Sequence, residues 1–417
     1  MEIPASLRKA TPTAPGSPST LRRTGALLAL ALTASLTTAP AATAAPNTTA
    51  GYDTSPAPHA APTSPPYTSP TKRCDTKPFQ RALEQLRGVG ASGISVTVKS
   101  PRCGLLTSGV GRADLKSGRE VTGREHSRIA SNTKTWTATV VLQLVGEGKL
   151  RLDDTVDRHL PGLVRTRHYD GRKITIRQLL QHTSGLPDYL EAPYWENETA
   201  HRWDHTDPLT TVKQALAVPP ADHGPRHRFS YSNTNYNLLG LIVGRVTGHR
   251  IGTEIDRRIV RPLGLRHTSW PGDRTSLPAP ALHSYVKRSG KLRDWTEWNV
   301  SGADASGALV SNGPDISTFW TALMSGKLLA PAQLAEMKKT VRDPEEPGGR
   351  YGLGVERYEH APGEVTWGHS GFMETGHKLR NAVTDDGSRT ATLLIGSEDF
   401  KEKKVDTILT RLLHDLR

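Results

Sequence analysis

Segments with the pattern of β-strands lie at both ends of the region that follows Cys74, and helical segments fill its middle. Near the start, "GISVTVKS" alternates like a half-buried strand, and "GLLTSGVGRADL" follows it as a second strand candidate. Near the end, "YGLGVERYEH", "VTWGHSG" and "RTATLLIGS" are strand candidates, and an amphipathic helix over 401–416 follows them. This order predicts one sheet that is closed by both chain ends, with a helical insertion between them.

The first 73 residues differ in composition from the rest of the chain. Arg22 and Arg23 precede the apolar run "GALLALALTASL", and small residues follow at Ala42 and Ala44, as in a secretory signal peptide. The run is roughly a dozen residues, whereas a transmembrane helix needs about 20. The next stretch is rich in Pro, Ala, Thr and Ser and cannot bury enough apolar surface to fold. We therefore predict export without a stable membrane anchor, and three segments: a signal peptide over 1–45, a disordered linker over 46–73 and a folded domain over 74–417.

The chain has two cysteines, Cys74 and Cys103. In an exported protein an isolated pair forms a disulfide more often than a metal or catalytic site. We predict a disulfide, which would stabilise the fold by about 3 kcal/mol, and two free buried thiols are the alternative.

The formal net charge is +13, but the basic residues are scattered and mixed with acids, as in "RTRHYDGRKITIR". Interleaved aromatic residues for stacking on bases do not accompany them. This pattern is typical of a solvated basic surface and does not predict nucleic-acid binding. For an exported protein, attraction to the anionic polymers of a cell wall is a reasonable consequence.

Ser131 lies three residues before Lys134, at the start of a helix predicted from Thr135 to about Leu150. One helical turn places the amine on the same face as the serine oxygen, where it can act as a base. Lysine must first lose its proton, and lowering its pKa from about 10.4 towards 7 costs on the order of 4 kcal/mol. The alternative is that Ser131 is a helix cap and Lys134 is a solvated charge.

Two further turns carry polar residues beside apolar segments. Tyr231 and Asn233 lie in "RFSYSNTNYN", and His369, Ser370 and Gly371 lie in "WGHSGF". Taken alone, each of them is typical of a hydrogen-bonded turn or of a strand that needs glycine for close backbone approach.

The sequence lacks the motifs of several other classes of enzyme and binding site. The sequence has no GxSxG, HExxH or P-loop, and its one GxGxxG follows a helix and precedes a strand, the reverse of a dinucleotide site. His201 with His205, and His223 with His227, have i, i+4 spacing but no third ligand at motif spacing. We predict no metal and no cofactor.

In order and spacing, the three polar turns resemble the motifs of the serine β-lactamase and penicillin-binding protein family: SxxK opening a helix, YxN about a hundred residues later, and H-x-G on a late strand. Within that family the chain is most similar to secreted D-alanyl-D-alanine carboxypeptidases with the class C β-lactamase fold. The resemblance covers roughly residues 79 to 415 and includes the segments "LLQHTSGLPDY", "YSNTNYNLLGLIV", "RPLGLRHTSW", "SGALVSNGPDISTFWTALMSGKLLAPAQLAEM" and "YGLGVE". It implies an α/β (α+β) fold of the β-lactamase/transpeptidase type, with an antiparallel sheet flanked by helices and an inserted all-α subdomain.

The resemblance also implies three catalytic residues. Ser131 would be the acylated nucleophile, and Lys134 would help to deprotonate it. Tyr231 would exchange the proton with the leaving amine, as histidine does in a protease triad.

The implied substrate-binding residues are Asn233 and the segment from His369 to Phe372. Asn233 would hydrogen-bond the side-chain amide of the substrate, and His369 would help to orient the tyrosine and the substrate carboxylate. The segment continues through Ser370 and Gly371, and the backbone N–H of Phe372 would complete an oxyanion hole with that of the nucleophile.

The chain departs from the family pattern at the third motif. His-Ser-Gly stands where β-lactamases usually have Lys-Thr-Gly, which favours a carboxypeptidase or esterase, and Phe372 follows where the peptidases tend to have a hydroxyl residue. The peptidases also use an arginine on the preceding strand, where this chain has Glu356 and Arg357. The sequence leaves open whether Arg357 points into the site. An apolar Phe372 without a secured arginine would suit an ester or an altered peptide terminus.

Three functions are consistent with these residues. The first is an exported serine acyl-enzyme hydrolase, a D-alanyl-D-alanine carboxypeptidase acting on peptidoglycan stem peptides. The second is a class C-like esterase or β-lactamase on the same scaffold, and the third is a penicillin-binding sensor or scaffold with little turnover. The presence of Ser131, Lys134, Tyr231 and Asn233 together argues against the third. We expect a monomer that acts on a small peptide, an ester or a β-lactam.

Overall fold

A computed structural model describes residues 74–220, 228–344, 348–361 and 364–415. The predicted signal peptide and linker, together with His223 and His227, lie outside the described residues. Within the described ranges, no helix combines the length and apolar character needed to cross a bilayer.

The described chain alternates short helices and strands. The helices are α1 Lys77–Arg87, α2 Thr133–Gly146, α3 Val156–His159, α4 Ile176–Leu180, α5 Pro208–Ala217, α6 Asn233–Thr247, α7 Ile251–Ile255, α8 Arg261–Leu263, α9 Asp304–Gly307, α10 Gly313–Met324, α11 Pro331–Met337 and α12 Glu402–Asp415. The strands are β1 Gly93–Ser100, β2 Gly104–Asp114, β3 Arg119–Glu120, β4 Ser127–Arg128, β5 Tyr285–Arg288, β6 Lys291–Asp294, β7 Val310–Ser311, β8 Val341–Arg342, β9 Arg350–Tyr351, β10 Glu356–Ala361, β11 Glu364–Gly368, β12 Gly371–Phe372, β13 His377–Thr384 and β14 Thr390–Gly396.

The main sheet is antiparallel and joins strands from both ends of the domain. Its order is β3-β2-β1-β14-β13-β11-β10-β9-β8, with β12 paired to β13. At its centre β1 pairs with β14, and Ile94 lies opposite Ile395. The prediction of a sheet closed by both chain ends is confirmed. The insertion between β3 and β8 is predominantly helical but also carries the hairpin β5–β6.

One central strand, β13, is absent from the sequence prediction. Its segment "HKLRNAVT" contains Lys378 and Arg380, and these charges hide its strand character. Both side chains are nonetheless buried, because α12 supplies their partners. Lys378 Nζ lies 2.5 Å from Glu402, and Arg380 Nε lies 3.2 Å from Asp406.

Helices cover both faces of this sheet. Helix α1 buries residues 79, 82, 83 and 86, the i, i+3, i+4, i+7 spacing of an amphipathic helix, and packs with α12 on one face. On β14, Leu393 belongs to the apolar cluster of that face, whereas Leu394 belongs to the larger cluster with α2 and α10. Because successive strand residues point to opposite faces, every residue of β14 is buried.

The predicted disulfide is present. Cys74 and Cys103 are joined with an S–S distance of 2.07 Å, across a sequence separation of 29 residues. The bond ties the segment before α1 to the turn between β1 and β2.

Almost every residue of helix α2 is buried, so the side chains of its first turn are held in place by packing. Its threonines are accommodated because their hydroxyls donate to backbone carbonyls: Thr135 to Gly354 at 2.7 Å and Thr137 to Ala305 at 2.8 Å. The helix is therefore held by the sheet side and the insertion together, and the cleft between them begins at its N-terminus.

Candidate active site

Ser131 lies in a tight turn, Ala130–Asn132, which leads into α2. Ala130 has φ of 49°, a conformation that L-residues rarely adopt and that turns the chain sharply before the serine. The turn is held from below by Asn132, whose Nδ2 donates to the His369 carbonyl at 2.7 Å and to Asn381 Oδ1 at 3.0 Å. Ser131 precedes the cap position of α2, so its interpretation as a helix cap is wrong.

Lys134 is fully buried and directs its amine at the serine. Its Nζ lies 3.0 Å from Ser131 Oγ, 2.7 Å from Asn233 Oδ1 and 2.9 Å from the Ser306 carbonyl. Burial lowers the pKa of Lys134 to about 7, although the negative charges of Asp188 and Glu356 act to raise it. The alternative of a solvated helix charge is wrong, and a large fraction of the lysine is a neutral amine near pH 7.

Asn233 begins α6 and connects the lysine to a buried carboxylate. Its side-chain N–H donates to Asp188 Oδ2 at 2.7 Å, and its backbone N–H donates to the same oxygen at 3.1 Å. Since Asn233 Oδ1 accepts from Lys134, the amide orientation is fixed at both ends. In this structure Asn233 therefore holds the lysine while its side chain also lines the cleft.

Tyr231 shares a hydrogen bond with Ser131. Burial raises the pKa of Tyr231 well above its ordinary value, so the side chain is a neutral phenol that can donate a proton. Its ring stacks on His182, with centroids 4.2 Å apart and planes 27° apart. Burial lowers the pKa of His182 well below its ordinary value, so its imidazole is neutral, and its Nδ1 accepts the backbone N–H of Ser232 at 3.1 Å.

His369 contacts a different tyrosine from the one that the family resemblance implies. Its Nε2 lies 2.8 Å from the Tyr351 hydroxyl, and its Nδ1 donates to the Ser370 carbonyl at 2.7 Å. The expectation that it orients Tyr231 directly is not met: its two ring nitrogens bond Tyr351 and Ser370, whereas the ring of Tyr231 stacks on His182. Burial lowers the pKa of His369, so its imidazole is neutral near pH 7.

Strand β12 runs directly beside the serine turn. A Cβ on Gly371 would come within 2.4 Å of the Ile129 carbonyl oxygen, so only glycine allows this approach. The approach brings Ser131 and Phe372, the expected oxyanion-hole pair, to the same cleft.

The strand before the third motif resolves the question about Arg357. Because strand residues alternate in direction, β10 presents Glu356 and Tyr358 to the cleft and Arg357 to the other face. There the Arg357 guanidinium pairs with Glu359 at 3.1 Å. Arg357 does not line the cleft, so the structure provides a carboxylate where the resemblance implies an arginine.

The cleft has aromatic walls, formed by Tyr189, Trp195, Trp298 and Phe372. These side chains come from the insertion on one side and from β12 on the other. Such walls suit a substrate with an apolar or aromatic side chain.

Histidines outside the cleft have other partners. His201 pairs with Asp204 at 2.8 Å and His205 with Asp273 at 2.5 Å, so the two do not share a ligand position. Asp114, His283 and Asp294 place one potential ligand atom each within 4.8 Å of one another. Hydrogen bonds explain why these three side chains lie close together: His283 bonds Asp294 at 2.7 Å, and Asp114 accepts from Ser117 at 2.6 Å.

Sequence reasoning missed Asp188, His182 and Tyr351 as neighbours of the centre, although it singled out seven other side chains found there: Ser131, Lys134, Tyr231, Asn233, His369, Ser370 and Phe372. Of the three missed residues, the first two lie in "QHTSGLPDY" and the third in "YGLGVE", segments that carry the family resemblance. Their position in those segments is the signal that could have identified them.

The sequence and the fold of this chain are similar to those of known proteins. A family model described as Beta-lactamase matches residues 79–404. The structure resembles the crystal structure of a D-stereospecific amidohydrolase from Streptomyces sp., with a TM-score of 0.74 and 37% identity, covering 80% of this chain and 98% of that one.

Two curated relatives are similar over part of their length. "Protein flp" from Staphylococcus aureus (strain MRSA252) is 33% identical over 208 residues, which are 50% of this chain and 40% of that protein. A protein from Escherichia coli (strain K12), whose D-alanyl-D-alanine carboxypeptidase name is itself provisional, is 27% identical over 281 residues, covering 59% of this chain and 64% of that protein. The chain thus spans less than two thirds of the length of each of these two relatives.

Proposed function

This chain belongs to the Beta-lactamase family and is a serine hydrolase of that superfamily; from that premise we propose that it cleaves amide or ester bonds of D-configured aminoacyl substrates through an acyl-enzyme on Ser131. The observation that carries the proposal is the buried Lys134, with its pKa near 7 and its amine 3.0 Å from Ser131 Oγ. Preference for the D configuration is supported by the 37% identity to an amidohydrolase whose name states that stereochemistry.

Acylation starts with the neutral amine of Lys134, which takes the proton of Ser131. The serine oxygen adds to the substrate carbonyl carbon, and the backbone N–H groups of Ser131 and Phe372 stabilise the oxyanion. When the carbon–nitrogen bond breaks, the leaving nitrogen takes the proton of Tyr231, and the Lys134 ammonium restores it. The net transfer is one proton from the serine to the leaving amine.

Deacylation uses the same groups with water in place of the leaving amine. Water adds to the acyl carbon and gives its proton to the Lys134 and Tyr231 pair, and Ser131 recovers a proton as the carbon–oxygen bond breaks. The product is a free D-amino acid or a peptide that ends in one.

A second candidate is the D-alanyl-D-alanine carboxypeptidase reaction on peptidoglycan stem peptides. It is supported by the Escherichia coli relative and by the His-Ser-Gly motif, and it uses the same acyl-enzyme. For either reaction we propose export to the cell-wall space, on the strength of the N-terminal sequence pattern and the disulfide.

The test compares D- and L-phenylalaninamide, an N-acylated D-Ala-D-Ala peptide, a short-chain ester and a chromogenic cephalosporin as substrates of the purified protein. We expect turnover of the D-amide at least tenfold faster than the L-amide, and loss of both in Ser131→Ala. Ser117→Ala, a change at the exposed β2–β3 turn, serves as the control and should retain full activity. Equal rates on both enantiomers, or an active Ser131→Ala variant, would contradict the proposal.

A further inference from the structure

Glu356 is a carboxylate that lies in the cleft beside the third motif. Its two oxygens accept hydrogen bonds from the Ser370 backbone N–H at 2.9 Å and from Ser370 Oγ at 3.0 Å, and the Tyr358 hydroxyl donates to it as well. Its side chain is 15% exposed and lines the same cleft as Ser131 and Tyr231. These donors fix the position of the carboxylate and leave part of it open to a ligand.

The hydrogen bonds also keep this group charged. Burial acts to raise the pKa of Glu356. The charge that His369 carries when it is protonated, with its Nδ1 3.5 Å from Glu356 Oε1, and the hydrogen bonds from Tyr358 and Ser370 outweigh burial and hold the pKa below its ordinary value. Glu356 is therefore an anion at neutral pH. Its charge acts on both Lys134 and Tyr231, so it lies within electrostatic reach of the groups that handle the leaving nitrogen.

The arginines nearby are engaged elsewhere. Arg350, at the wall of the cleft, bonds Thr340 at 2.7 Å, and Arg357 pairs with Glu359 on the other face of β10. Arg380, also at the wall, is held by Glu402 and Asp406. None of these three arginines is bonded to Glu356, so an arginine does not neutralise the carboxylate beside the third motif.

We infer that Glu356 determines leaving-group specificity: the site accepts neutral or cationic leaving groups and rejects those that carry a carboxylate next to the scissile bond. The inference rests on the proposed function and narrows its substrate class to aminoacyl amides, esters and amine conjugates of D-amino acids. Its physical basis is repulsion between two anions in a partly dehydrated cleft, where charges interact more strongly than in water.

The test uses three substrates with one acyl group and different leaving groups. They are D-phenylalanyl-glycine, D-phenylalanyl-glycinamide and the N-(2-aminoethyl) amide of D-phenylalanine, whose leaving groups are anionic, neutral and cationic. We expect the wild-type kcat/KM for the glycinamide substrate to exceed that for the glycine substrate at least tenfold, with the aminoethyl amide at least as good as the glycinamide. The ratio of two substrates at one pH cancels the protonation of Lys134.

Glu356→Gln keeps the size of the side chain and removes its charge, so it should reduce the glycinamide-to-glycine ratio by about tenfold. Glu359→Gln removes a charge from the other face of the same strand and should leave the ratio unchanged. If Glu356→Gln fails to fold, the wild-type ratio is measured against salt concentration instead, and it should fall as salt screens the repulsion.

Two failures are distinguishable. If the wild-type protein turns over none of the three substrates, the proposed function fails and this inference fails with it. If it turns over the D-phenylalanyl substrates but the glycinamide-to-glycine ratio is near one, or is the same in a folded Glu356→Gln variant, only the role of Glu356 is overturned.

Discussion

Lys134 is the side chain whose protonation controls the first chemical step. Below its pKa of about 7 it is an ammonium and cannot take the proton of Ser131; above that pH it is an amine and can. For an N-acetylated D-aminoacyl ester, which has no charge of its own, we expect kcat/KM to rise with pH through about 7 and then level off. A pH–rate profile between pH 5 and 10 measures this directly.

Replacing Lys134 tests its role as the base, and replacing an exposed lysine serves as the control. Lys134→Met should lower kcat/KM at least 100-fold, the typical effect of a lost general base. Lys149→Met, which removes an exposed lysine 54% accessible to solvent, should leave the profile unchanged. If kcat/KM instead rises with an apparent pKa of about 10, or if folded Lys134→Met is acylated at the normal rate, the lysine is not the base.

At the residue scale, the sequence could predict contacts between side chains that are close along the chain, but not contacts that depend on the tertiary structure. The three-residue spacing of Ser131 and Lys134 brings them to one side of a helical turn, and the turn Ala130–Asn132 that leads into α2 supplies that geometry. The alternation of β10 separates Glu356 from Arg357, but spacing alone cannot tell which of the two faces the cleft. For the same reason, the partner of His369 was assigned to Tyr231 although the fold brings Tyr351 to it.

At the scale of elements, β12 and the serine turn depend on one close contact. Gly371→Ala would place a Cβ 2.4 Å from the Ile129 carbonyl oxygen and push the strand away from Ser131. Because one misplaced oxyanion donor lowers the rate by about 100-fold or more, we expect at least that loss in kcat. The kinetics are measured together with the melting temperature.

A second glycine variant controls for the added methyl group. In Gly244→Ala the new Cβ lies within α6 and meets the His249 carbonyl oxygen at 3.8 Å, an ordinary contact. Alanine is favoured over glycine in a helix, so stability should stay equal or rise and activity should not change. Full activity in Gly371→Ala would mean that the contact does not position the oxyanion hole.

The pair β13 and α12 is stabilised by buried charges. Glu402 bonds both Lys378, 2.5 Å away, and Arg380, and Lys378 is almost fully buried. Removing one partner of such a cluster leaves a cation without its counter-charge, so Glu402→Gln should lower the free energy of unfolding by about 3 kcal/mol. Glu120→Gln breaks an exposed pair with Arg112 and should change it by less than about 1 kcal/mol.

Urea unfolding of the two variants checks this difference. Similar midpoints for both would mean that the buried cluster contributes no more than a surface pair. The same cluster explains why the sequence did not predict β13. Its two basic residues are compatible with a buried strand only because acidic residues of α12, more than twenty positions later, neutralise them.

At the scale of the whole molecule, the strand and helix order of the sequence was enough to predict a sheet closed by both chain ends. That order requires β1 and β14 to meet, and the structure pairs them along their length. Sequence order could not predict the sequence of strands across the sheet, which is set by long-range packing of α1, α10 and α12 on its faces. The cleft follows from that packing, since it lies where the sheet side and the insertion hold α2 between them.

The disulfide lies away from the cleft, since neither Cys74 nor Cys103 lines it. Its main effect is therefore on the unfolded chain, where it closes a loop of about 30 residues and reduces conformational freedom by the equivalent of about 3 kcal/mol. We expect Cys74→Ser/Cys103→Ser to lose about that much unfolding free energy in urea and to keep its kcat/KM at temperatures where it is folded. Reduction of the wild-type protein should reproduce the loss, whereas reductant should not alter the double variant. A folded double variant with reduced kcat/KM would instead show that the bond holds α1 and the β1–β2 turn in a position that the active site requires.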